Sequence, residues 1–203
     1  MKITNGIAFV LLFAGLSACH TAPVRLDNIP LMWKPTSWKS TSELKLPAGA
    51  LKNILDTKVQ FNAFKDVRKN PELVAENNEN ATPKPVTTRD NVGEFVSAHF
   101  RWAFDRAGLT TVDSGGDVFV DGEVRQFFVN ETEIYKGQVL LRISVRNRAG
   151  KTLWTGAATG TATNFGHSYS AENYYEVFSD SVLNAVSSLL EDADFRTALA
   201  RKE

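Results

Sequence analysis

The residue types that do chemistry are few in this chain and widely spaced. It has one cysteine, Cys19, and three histidines, His20, His99 and His167. A metal site needs several His, Cys, Asp or Glu side chains at ligand spacing. The histidines instead fall in a tether, a helical repeat and a loop, with no i,i+4 pair among them. The stretch Asn164-Phe-Gly-His-Ser-Tyr-Ser sets His167 beside Ser168. That is adjacency along the chain, and a nucleophile with its base is a matter of spatial geometry. A loop leading into a helix accounts for the Gly and the Ser. No G-x-S-x-G, phosphate-binding loop or G-x-G-x-x-G is present. The residues predict no enzyme, no cofactor and no metal.

The setting of Cys19 points to another chemistry. Leu16-Ser17-Ala18-Cys19 closes an apolar run from Ile7 to Leu16. That run is half the roughly 20 residues needed to cross a bilayer. Lys2 precedes it and small residues follow, the arrangement of a secretory leader over residues 1–18. The phrase resembles a bacterial lipobox. The resemblance implies cleavage before Cys19, a diacylglycerol thioether on its sulfur and a fatty acid on its amine. The alternative is an ordinary secreted protein with a free N-terminal cysteine. Each buried acyl CH₂ contributes about 0.8 kcal/mol, so one chain binds marginally and three hold firmly. His20, not aspartate, follows the cysteine. By resemblance to sorting in enteric bacteria, this implies the periplasmic face of the outer membrane.

Removal of residues 1–18 leaves 185 of the 203, the size of one domain with a real core. The 23 basic and 23 acidic residues balance, and no basic run stands out, which argues against nucleic-acid binding. Acylation of Cys19 would leave no thiol for disulfides or catalysis.

Residues 19–43 read as an acylated N-terminus and tether, marked by Pro23, Pro30 and Pro35. Trp33 and Trp38 are more than a spacer needs. They either dock on the domain or meet the membrane or a partner, since indole suits both. Residues 44–203 read as one domain. Val59, Phe61 and Ala63 alternate in a first strand, 57–65. The polar stretch 66–89 is either a mobile surface loop or a partner-binding one. Val92, Phe95, Val96, Ala103 and Phe104 make a helical stripe over 90–107, with His99 packed at its edge and Gly108 after it. Strands at 117–130, 135–147 and 151–164 form a meander. A broad stripe from Tyr174 to Leu190 predicts a helix over 170–191. A polar tail follows, with Phe195 and Leu199 available to dock. The order β-α-β-β-β-α predicts an α+β two-layer sandwich: a four-stranded mixed sheet with two helices on one face.

Register sharpens the expectation. If the 147–150 turn pairs Arg146 with Thr152 and Ser144 with Trp154, then Arg142 meets Gly156 and Leu140 meets Ala158. The outer face then carries a smooth strip, Trp154-Gly156-Ala158, beside Arg142 and Arg146. Either the N-terminal segment lies over this strip or it docks another protein. A one-residue slip exchanges the faces.

Several phrases together resemble a known family. They are the lipobox, Phe64-Lys-Asp-Val-Arg-Lys-Asn-Pro after the first strand, a helix ending Ala-Gly-Leu, and the Gly122-Glu-Val/Tyr135-Lys-Gly-Gln-Val hairpin. They look like YajG-type bacterial lipoproteins across most of residues 44–195. The element order is also similar to the auxiliary lipoprotein of ABC-type lipid-transport systems and to the lipopolysaccharide-assembly lipoprotein. None of these families brings catalytic residues. The resemblance implies a non-enzymatic binding or scaffolding component of an envelope complex. The alternative is lipid or lipopolysaccharide binding and transfer, which needs an apolar cavity or a basic lip such as Arg142, Arg146 and Arg148.

Overall fold

The longest apolar alternations in the chain become its longest strands. The structure, a computed structural model, describes residues 25–36, 46–166 and 168–201. Cys19, His20, Trp38 and His167 lie outside them. Among the described residues are eight strands: β1 (Lys58–Phe61), β2 (Lys65–Asp66), β3 (Leu73–Asn77), β4 (Lys84–Thr87), β5 (Thr110–Val112), β6 (Val118–Glu131), β7 (Ile134–Asn147) and β8 (Thr152–Phe165). Three helices accompany them: α1 (Val92–Arg106), α2 (Ala171–Glu191) and α3 (Ala193–Ala200).

The fold is α+β, with the helices packed on one face of an open mixed sheet. β6, β7 and β8 form an antiparallel meander of 14-residue strands. The other edge of β6 pairs in turn with β1, β2 and β3, all parallel to it. β5 lies outside β1, and β4 lies outside β3. The four-stranded sheet in the order β-α-β-β-β-α is therefore corrected to eight strands and three helices.

The extra elements have physical causes. Arg68 organises the stretch expected to be loop. Its guanidinium donates to both Asp66 carboxylate oxygens (2.9 and 2.7 Å) and to the carbonyls of Pro71 (2.5 Å), Leu73 (3.0 Å) and Phe127 (3.1 Å). Residues 66–73 are thus pinned against β6, and β3 and β4 follow as a hairpin. The polar tail becomes α3 because Asp192 accepts from the N–H groups of Asp194 and Phe195. Such a cap typically stabilises a helix by about 1 kcal/mol.

The core between helices and sheet is aromatic. Phe127 of β6 stacks on Phe178 of α2 at 4.6 Å. Phe61 and Phe64 meet Phe104 and Phe100 of α1 edge to face, at 4.9 and 5.5 Å. Phe195 of α3 closes one end against Trp154 at 5.1 Å.

One irregularity decides the faces. Arg146 pairs with Thr152, but Val145 pairs with Trp154, so Leu153 is a bulge residue. From there Ile143 pairs with Gly156 and Leu141 with Ala158. Trp154, Gly156 and Ala158 therefore face the helices. The expected strip with Arg142 and Arg146 is not one surface.

Candidate functional site

Among the described residues no helix covers the outer face of the meander. On β8 it presents Thr155, Ala157, Thr159, Thr161 and Thr163, all exposed. On β6 and β7 the half-buried Phe119, Phe128 and Leu140 sit among polar neighbours. Arg142 and Arg146 remain on this face, Arg146 opposite Thr152 as expected and Arg142 opposite Ala157 in place of Gly156.

The charges here are mostly spent on each other. Arg146 donates to both oxygens of Asp121, at 2.6 and 3.0 Å, and Asn62 donates to the same carboxylate at 2.8 Å. Burial pushes the Asp121 carboxyl up. The hydrogen bonds from Arg146 and Asn62 and the Arg146 charge outweigh it, leaving the group below its ordinary range. Arg148 donates to Asp117 at 3.2 Å and to the Gly116 carbonyl. Arg142 is held most loosely, 3.9 Å from Glu123. Lys65, Asp121, Glu123, Arg142, Arg146 and Thr155 line a shallow groove of about 340 Å³. The supposed basic lip is therefore largely neutralised. Among the described residues no group of three or more His, Cys, Asp or Glu could hold a metal. The arrangement suits recognition of a polar surface.

The free edge of β8 is partly closed. Small residues let α2 lie close along this strand, and Ser188 and Asn184 bond the Thr159 N–H (3.4 Å) and the Thr161 carbonyl (2.8 Å). Side chains that satisfy edge groups discourage pairing with foreign strands.

Residues 25–36 cross the helical side of the domain as a strap. Leu26 bridges Val86, and Ile29 N–H donates to the Thr87 carbonyl at 2.8 Å. Further on, Leu31 N–H donates to Asp90 (2.7 Å), Lys34 N–H to Ser179 (2.9 Å) and Thr36 N–H to Asp180 (2.9 Å). Trp33 stacks on His99 at 4.0 Å and meets Phe95 and Trp102 edge to face. Its indole N–H is buried without a partner, a cost the stack must exceed. Trp33 thus lies over α1, away from the β8 strip.

His99 reports on the strap. Burial pushes its pKa below the ordinary value, partly offset by the Nδ1–H bond to the Phe95 carbonyl (2.6 Å). Between that lowered value and about 6.5 the unfolded chain binds more protons, so stability falls as pH drops below about 6.5. Replacing Trp33 with alanine should move the His99 pKa up towards 6.5 and flatten this pH dependence. It should also cost about 2 kcal/mol of lost aromatic burial. Titration of the His99 ring protons by NMR checks it, and an unchanged pKa would contradict the stack.

A buried carboxylate, missed by the sequence reading, ties strap, sheet and helix together. Glu131 is 0% exposed at the end of β6. It accepts from the Tyr174 hydroxyl and, at 2.9 Å, from the Tyr169 N–H. Burial, then the Glu131 bond, pushes the Tyr174 phenol far above its ordinary range. The Tyr169 hydroxyl donates to the Pro85 carbonyl (3.0 Å) and accepts from Leu26 N–H (3.2 Å). The signal available in the sequence was parity. In an antiparallel hairpin Glu131 pairs with Tyr135, which shares the inward row of Val139 and Leu141.

No family model matches this chain, and no curated protein matches it in sequence. Solved structures do resemble it. A lipoprotein from Neisseria meningitidis is 10% identical, covering 58% of this chain and 90% of that one, with a TM-score of 0.35. The PelC dodecamer from Paraburkholderia phytofirmans is 13% identical, covering 76% and 95%, with a TM-score of 0.41. A Xanthomonas campestris protein of family DUF330 is 8% identical, covering 70% and 85%, with a TM-score of 0.50. This last likeness establishes a shared fold and nothing about activity.

Proposed function

We propose that this chain is a lipid-anchored lipoprotein on the periplasmic face of the bacterial outer membrane. It acts without catalysis, as a binding or scaffolding component of an envelope protein complex. The uncovered outer face of β6, β7 and β8 carries this reading. The helical side is consumed internally, by sheet on one side and strap on the other. The sheet's outer face offers three long strands with Leu140, Phe128 and a threonine row, and its cations include the loosely held Arg142 and the exposed Lys136. The Leu16–Cys19 phrase supports the anchor, and no described helix is long and apolar enough to cross a membrane.

The test is site-specific photo-cross-linking in living cells. A benzoylphenylalanine at Leu140 or Thr159 should give a discrete adduct with an envelope protein. The same group at Ala98, exposed on α1, should give none. Arg142→Glu should weaken the adduct. Adducts from Ala98 alone would overturn the assignment. A phospholipid or lipopolysaccharide retained in native mass spectra, with no protein adduct, would favour lipid transfer instead.

A further inference from the structure

The most exposed large apolar side chain among the described residues is Phe165, at 88%. A single exposed apolar residue is ordinary on a protein surface. Its position is what matters. Phe165 is the last residue of β8 and pairs with Ile134, the first of β7. It therefore stands at the end of the sheet where β6 turns into β7.

The rest of that tip can be placed from register. Asn77 of β3 pairs with Glu131 at the end of β6, and Lys84 of β4 pairs with Asn77. The β3–β4 connection, residues 78–83, therefore lies at the same end and is largely exposed. The start of the strap lies there too. Leu26 N–H donates to the Tyr169 hydroxyl, four residues beyond Phe165, and that hydroxyl donates to Pro85 next to Lys84.

Chain length then limits where a membrane can be. Six residue steps separate Cys19 from Arg25, and whatever their conformation they span at most about 20–22 Å. An acyl group on Cys19 would hold this tip, and not the 148–150 turn at the far end of the meander, against the lipid. The tip's exposed charges balance, with Arg25, Lys84 and Lys136 against Asp27, Glu79 and Glu133. Its attraction to lipid is therefore apolar and not ionic.

Building on the reading of Cys19 as acylated, we propose that Phe165 is a second membrane contact. It inserts into the headgroup–acyl boundary and orients the domain tip-down. The β-meander then stands off the surface with its outer face turned sideways, open to a partner.

Acylation consumes the Cys19 sulfur, so Phe165→Cys supplies the one free thiol. The variant should fold, because the side chain it replaces is almost fully exposed. Protein purified from membranes is labelled with an environment-sensitive nitrobenzoxadiazole and reconstituted in vesicles of phosphatidylethanolamine and phosphatidylglycerol. Ala149→Cys, in the exposed far turn, is treated identically. The label at 165 should shift its emission to the blue and be quenched by nitroxide lipids. The label at 149 should do neither, and added salt should change nothing. A 165 label that stays aqueous on protein carrying the diacylglyceryl mass overturns this contact and leaves the anchor standing. A mass without that group, with a second free thiol, overturns the anchor and this inference together. Shielding at 165 in whole envelopes but not in protein-free vesicles assigns Phe165 to a protein partner and overturns the lipid contact.

Discussion

Gly160→Ala should lower stability by about 3 kcal/mol, the upper end for overpacking a filled interior. A Cβ at Gly160 would overlap the Ser181 carbonyl oxygen and the Ala185 N–H of α2, and lie 3.0 Å from Ala185 Cα. These are backbone atoms of a helix held over β8, so no rotamer change relieves them. The whole of α2 must lift, which loosens the Phe127–Phe178 stack beneath it. Urea unfolding followed by far-UV circular dichroism measures the loss. The exposed Ala157 provides the contrast: Ala157→Val, on the outer face, should stay within about 0.5 kcal/mol of wild type. The pair of variants also tests the bulge at Leu153. Without it Gly160 would lie on the outer face and the two results would exchange.

Arg68→Ala should cost about 3–5 kcal/mol, the range for removing one member of a buried ion pair. The Arg68 and Asp66 side chains are 7% and 13% exposed, so the orphaned carboxylate cannot regain full hydration. Three backbone carbonyls lose their donor at the same time. The damage should be local first. Amide exchange should speed up across Asp66–Leu73 and the β3–β4 hairpin, while β7 amides stay protected. Arg68→Lys should rescue little, because an ammonium lacks the planar fork that reaches five acceptors. A loss below about 1 kcal/mol would mean that residues 66–89 hold their shape by other means.

How much of this was legible in the sequence follows from interaction range. The long strands and the two main helices announce themselves, because Val118 to Val124 and Val139 to Val145 alternate with period two and Tyr174 to Leu190 repeats with the helical period. The stretch 66–89 does not, because its order comes from one arginine reaching carbonyls up to 59 residues away. Nothing local in Asp-Val-Arg-Lys-Asn-Pro encodes Phe127. The tail 192–203 reads as polar because α3 presents only Phe195, Ala198 and Leu199 to the core.

The candidate surface was legible as a face but not in its register. A single bulge at Leu153 moves Trp154, Gly156 and Ala158 inside, and a strand's pattern of small residues looks the same on either side. The glycines and alanines of β8 suggest a smooth docking strip. In the folded chain that smoothness serves the close approach of α2. Arg142 and Arg146 kept their place because their own strand has a strict alternation, with Leu141, Ile143 and Val145 buried.

The proposed function joins a lipid anchor at Cys19 to an open sheet whose outer face meets a partner. One measurement tests both halves: the in-cell photo-adduct from Leu140, quantified in the native protein and in a Cys19→Ala background. The account predicts a discrete adduct with an envelope protein that falls sharply when Cys19 is replaced. No adduct in either background, with the protein folded and abundant, would contradict it.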